Sequence, residues 1–147
     1  MSPILGIIAS QNYVRTLAGS YDSIATVTAS GGESSMSFTS IPSTYKHLQI
    51  RASNIKYQSD QDIKVTFNST GGTSYAYHNL QGNGATASAG GATSAGFLDW
   101  MYIVNNASSP TLPIAGLMDI LDYQNTNKYK TVRSLWGGDY NGSGNVV

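Results

Sequence analysis

Asp119 and Asp122, three residues apart in the stretch DILDY, are the carboxylates whose spacing first suggests chemistry. A pair of carboxyl groups flanking a glycosidic bond can act as acid and base, as in a glycosidase. On a helix three residues bring two side chains together, whereas on a strand they point to opposite faces. The surrounding IAGLMDILDY, with Gly116 and strand-like flanks, reads as strand. The two aspartates are therefore expected to be structural, paired with Lys128, Lys130 or Arg133 across a hairpin.

The two histidines, His47 and His78, fall on separate stretches at solvent-facing positions. A general base needs a nucleophile or an orienting carboxylate within hydrogen-bond reach, and Lys46 and Asn79 beside them supply neither. They read as surface or packing residues. Asp139, Asn141 and Ser143 place oxygen ligands at alternate positions, with Gly144 sixth, like the first half of a calcium loop. The carboxylate expected at the twelfth position lies beyond Val147, so the stretch reads as an Asn/Gly-rich turn and metal as none. Asn68, Asn106 and Asn141 open N-x-S/T triplets, which matter only on a eukaryotic secretory route. No phosphate-binding glycine motif precedes a helix, and no cofactor is expected.

Aromatics offer the other kind of site. Tyr75, Tyr77, Trp100, Tyr102, Tyr129 and Trp136 are candidates for a contact surface, because aromatic rings give large contact area at low entropic cost and stack on sugars. Core and cross-strand filling is the competing reading for the same residues.

The elements that would carry these residues are short and strand-like. Met36 and Phe38 alternate with Ser37 and Thr39, Pro42 breaks the run, and Leu48, Ile50 and Ala52 then alternate with Gln49 and Arg51. The pattern predicts strands at 21–30, 34–40, 45–53, 62–67, 75–80, 97–104, 114–123 and 128–136. Residues 81–96, rich in Gly, Ala, Ser and Thr, are expected to be a long loop. No amphipathic helix and no convincing internal repeat is found. The fold expected is all-β, an antiparallel β-sandwich of jelly-roll type with an extended N-terminal arm; an up-and-down barrel is its rival.

Composition narrows the function classes. The chain has 147 residues, eight basic and eight acidic, so its formal net charge is zero. Nucleic-acid binders carry a basic excess that displaces counterions, and none is present. Cysteine is absent, which removes disulfides and thiolate metal sites. No apolar run approaches the length of a membrane span. The opening MSPILGIIAS has an apolar core without the positive leader of a secretory signal. Burying Ile4, Leu5, Ile7 and Ile8 would contribute about 1.5–3 kcal/mol each, so residues 1–20 read as a docking arm and 21–147 as the β-sandwich domain. A first strand of the domain's own sheet is the alternative for the arm.

The stretches MSPILGIIAS, YDSIATVT, FTSIPSTYKHLQIRA, VTFNSTGGTSYAYHNLQGNG, MDILDYQNTNKYKTVRSL and GDYNGSGN cover most of the chain. Together they resemble a family of small phage-encoded virion structural proteins found in phages of aquatic bacteria, cyanophages among them. IPSTYKHLQIR and LDYQNTNKYKT are the most specific parts. The resemblance implies a virion-docking peptide over Pro3 to Ser10, with Pro3, Ile4, Leu5, Ile7 and Ile8 as its apolar contacts, and it carries over no catalytic residue. Members usually continue past the NGSG turn, so the expectation is a truncated version or a sandwich completed by another chain. The implied role is a non-enzymatic virion protein, a tail-attached fibre or adhesin-type component. The alternatives are a capsid decoration (cement) protein and a carbohydrate-binding module for host surface glycan. The partners expected are other virion proteins and copies of itself, a trimer being one arrangement.

Overall fold

Alternation of apolar and polar side chains turns into pairing wherever a neighbouring strand accepts the backbone hydrogen bonds. The computed structural model describes residues 21–56, 61–68, 72–82, 85–103, 113–138 and 145–146. Among them are eight strands and no helix: β1 (Leu48–Ile55), β2 (Gln61–Val65), β3 (Tyr75–Gly82), β4 (Ala87–Ala95), β5 (Leu98–Ile103), β6 (Ile114–Leu121), β7 (Thr131–Gly138) and β8 (Asn145–Val146). All ladders are antiparallel. One sheet has six strands in the order β1-β6-β7-β8-β3-β4, and β2 and β5 form a second, two-stranded sheet.

The chain divides into two compact units, Met1–Pro42 and Ser43–Val147. In the first, residues 21–42 contain no strand, which corrects the strands expected at 21–30 and 34–40. Their residues alternate as strands do, but no ladder takes up their N–H and C=O groups. A side chain holds one turn here. The Glu33 carboxylate accepts hydrogen bonds from the Ser30 N–H (2.9 Å), the Ser30 hydroxyl (2.5 Å) and the Gly31 N–H (2.8 Å). Those bonds, the Ser30 hydroxyl's first, pull the Glu33 pKa down to about 2.

In the second unit the inner face is a set of cross-strand rows. Leu48, Ile120 and Val132 line up across β1, β6 and β7, as do Ile50, Met118 and Ser134. β5 contributes Trp100 and Met101, which close a core with Ile114, Met118, Ile120 and Trp136. Gly116 makes room for it: a Cβ there would lie 2.6 Å from the Met101 sulfur and 3.0 Å from the Trp136 Cβ. Positive-φ Asn54 (56°) lies within the register shift of β1 between Ala52 and Ile55.

Residues 81–96, expected to be a loop, largely form a strand, which is a second correction: β4 pairs along β3 from Tyr75↔Ala95 to Gly82↔Ala87. Small residues hide the alternation there because the partner strand's groups fill the space. A Cβ on Gly90 would meet Asn79 Oδ1 at 2.7 Å, and one on Gly91 would meet the Tyr77 carbonyl oxygen at 2.6 Å.

Candidate functional site

The chemistry-bearing side chains gather where β3 meets β5. Tyr77 is half-buried on β3, and its hydroxyl donates to Oδ2 of Asp99 on β5. The other oxygen of Asp99, Oδ1, is buried and has no hydrogen-bond partner among the described residues. Tyr77 is held above the usual tyrosine range, first by that hydrogen bond and then by burial. Asp62 on β2 is also raised, first by burial and then by the charge of Asp99, with Lys64 acting the other way. Lys64, opposite Asp99 in the β2–β5 ladder, places its ammonium 4.2 Å from the Phe97 ring centroid. One residue pair earlier on β3, the Tyr75 hydroxyl accepts the Phe67 N–H at 2.8 Å. Both tyrosine hydroxyls of β3 thus engage the segment of β2 and β5. These two part-buried hydrogen bonds tie β3 to β5 and to the residues that follow β2.

Asp119 and Asp122 are kept apart by the local backbone. Asp119 sits in a row across three strands, Gln49–Asp119–Arg133. It accepts from Gln49 Nε2 at 2.7 Å and from Arg133 Nη2 at 3.1 Å. Those contacts, Gln49's first, hold its carboxyl below the ordinary range. Asp122 leaves the strand with φ +52° and starts the β6–β7 turn. There it pairs with Lys128 at 2.6 Å, the main cause of its lowered pKa. Lys130 Nζ donates to the Asn125 carbonyl and, at 3.5 Å, to that of Asp122. The three basic residues named as partners from the sequence therefore all bond this pair or its turn. Each carboxylate pairs with a cation of its own.

His47 and His78 are exposed. His47 Nδ1 accepts the Asp122 N–H at 2.9 Å and so fastens the turn to the start of β1. Trp100 and Trp136 are core residues, 7% and 8% exposed, which corrects their candidacy as contact surface. The Trp100 indole N–H reaches the Leu117 carbonyl at 3.3 Å. Tyr75 and Tyr77 are half-buried with engaged hydroxyls, while Tyr129, 95% exposed, is the member of the set that stands in solvent. The side chain of Tyr102, the arm residues Pro3, Ile4, Leu5, Ile7 and Ile8, and the turn residues Asp139, Asn141 and Ser143 lie outside the described residues. Among the described residues no group of three or more His, Cys, Asp or Glu is placed to hold a metal ion.

The Tyr77–Asp99 pair was missed from the sequence, although a signal is present. Asp99 is the lone charge in the nearly continuous apolar run FLDWMYIV, and a charge in such a strand needs a donor. The neighbouring YAY supplies two hydroxyls. No family model matches the chain, and no curated protein or solved structure matches it either.

Proposed function

We propose that this protein is a structural component of a phage particle, a tail-attached fibre or adhesin-type protein tethered by its N-terminal arm. In this reading its two sheets belong to a β-sandwich of jelly-roll type, and its work is assembly and display rather than bond chemistry. The resemblance of the sequence supports the phage setting. The observation that carries the assembly role is a surface left apolar in a chain of zero net charge: Leu80 is 70% and Leu135 57% exposed, and Tyr21, Ile24, Val27, Met36, Phe38 and Ile41 are exposed along residues 21–41. Large apolar side chains left in solvent are what a partner surface would cover. Asp119, Asp122, Lys130 and His47 hold strands and a turn in place, consistent with a scaffold.

Locating the chain in a reconstruction of the particle tests the proposal. Density at the tail is the expected result. Density on the shell lattice would replace the tail reading with capsid decoration, and absence from the particle would end both. Deleting Met1–Ser10 should abolish incorporation while leaving the sheets folded. A carbohydrate-binding role has less support, because Trp100 and Trp136 are buried and the hydroxyls of Tyr75 and Tyr77 are engaged.

A further inference from the structure

Among the described residues, the segment 34–41 lies in no ladder and one side of β1 is unpaired. Residues 34–41, SSMSFTSI, have strand periodicity, yet the first ladder begins at Leu48. Met36, Phe38 and Ile41 consequently remain 48%, 41% and 40% exposed. On the other side, β1 is an edge strand: β6 pairs along one side, and no described strand pairs along the other. Leu48 and Ile50 are only half-buried, although Ile120 and Met118, opposite them on β6, are buried. An edge of this kind is a template for another strand.

Charge selects between the available edges. Residues 21–42 carry Asp22 and Glu33 and no Lys or Arg, whereas 43–56 carry Lys46, Arg51 and Lys56 and no Asp or Glu. With its pKa near 2, Glu33 keeps its charge at any ordinary pH. The other edge strand of that sheet, β4 (ASAGGATSA), offers neither charge nor a large apolar side chain; in the two-stranded sheet β5 carries Asp99 and no basic residue, and β2 offsets Lys64 with Asp62. The run Leu48–Ala52 before the register shift is as long as Met36–Ser40.

We infer that residues 34–41 of one copy add as a strand to the β1 edge of a second copy, with Met36 and Phe38 covering Leu48 and Ile50. Main-chain hydrogen bonds supply the pairing, the apolar side chains set which face turns inward, and the acidic segment is drawn to the basic edge. Reciprocal exchange closes a two-fold dimer, and onward exchange closes a ring. The inference rests on the self-assembly part of the proposed function and names the segment and the edge that would carry it.

The absence of cysteine makes the test clean. A Ser37→Cys chain is mixed with chains carrying Gln49→Cys, Arg51→Cys or Ser53→Cys, which together sample the registers, and the mixture is oxidised mildly. A disulfide between two chains of different mass tags is expected, together with its loss when Met36→Asp and Phe38→Asp are added to the Ser37→Cys chain. Light scattering of the cysteine-free chain is measured in parallel. A disulfide that forms only within a chain carrying both cysteines overturns the inference. So does an oligomer with no cross-link in any register, which leaves self-assembly standing. A monomer at every concentration overturns the inference and the self-assembly reading together.

Discussion

The Tyr77 hydroxyl on β3 donates a hydrogen bond to Oδ2 of Asp99 on β5, a contact that links a strand of the six-stranded sheet to a strand of the two-stranded one. Asp99 has its other oxygen buried, so the tyrosine is the donor on which its carboxylate depends. Tyr77→Phe keeps the ring and removes the donor. It should destabilise the protein by about 1–3 kcal/mol, the cost of leaving a buried acceptor unpaired. Urea unfolding of Y77F, D99N and the double variant measures the pair, and independent, additive losses would show that the contact does not couple the sheets.

Asp62 presents the opposite case, a charge that burial and the Asp99 carboxylate make unwelcome. Its folded pKa is raised above 3.8. Folding is therefore least opposed while Asp62 is protonated, and stability falls as pH rises through the folded value. Asp62→Asn removes that cost and should raise Tm at neutral pH, with the gain shrinking as the solution is acidified. A lower Tm for D62N at neutral pH would mean that its attraction to Lys64 outweighs both.

Asp119 and Asp122 titrate with the other sign. Both carboxyls sit below 3.8, held there chiefly by Gln49 and by Lys128 respectively. Their contribution is present above the ordinary carboxylate pKa and is lost as pH falls through the depressed values. Urea midpoints should drop between about pH 5 and about pH 2, and Asp119→Asn should flatten that slope. Arg133→Ala should cost only about 0–1 kcal/mol at neutral pH, because the arginine side of the pair is 79% exposed.

Much of this architecture is legible in the order of residues, and the failures have physical causes. Strands β1, β2, β3, β5, β6 and β7 follow from alternation or from continuous apolar runs, because large side chains such as Ile50, Ile63 and Met118 report which face is dry. β4 could not be found that way. Its Ala, Gly and Ser residues carry no pattern of their own, being small because Asn79 and the Tyr77 backbone occupy the space beside them. Residues 34–40 fail in the reverse direction. Met36 and Phe38 alternate properly, but alternation states only that a strand is permitted, and a ladder needs a second backbone. At the candidate site, Arg133 beside Asp119 and Lys128 beside Asp122 followed from hairpin geometry, whereas Gln49, the chief partner of Asp119, sits on β1 and did not. The link between Tyr77 and Asp99, 22 residues apart and on different sheets, depends on how β3 and β5 approach each other, which no local spacing encodes.

Gly116 tests whether the core is as closely fitted as its contacts suggest. The residue lies opposite Ala52 on one side and Trp136 on the other, beneath the Met101 sulfur. A methyl group there would sit 2.6 Å from that sulfur and 3.2 Å from the Leu135 carbonyl oxygen. Met101 is flexible and can withdraw in part, but it is 2% exposed and has little room to do so. Gly116→Ala should therefore destabilise by about 1–3 kcal/mol through overpacking, despite the gain in backbone entropy that alanine brings. Met101→Ala in the same chain should recover part of that loss by vacating the contested space, although on its own it leaves a cavity costing about 2–5 kcal/mol. The interaction energy from the two single variants and the double variant decides the matter. Strictly additive losses would show that Gly116 and Met101 do not compete for the same volume.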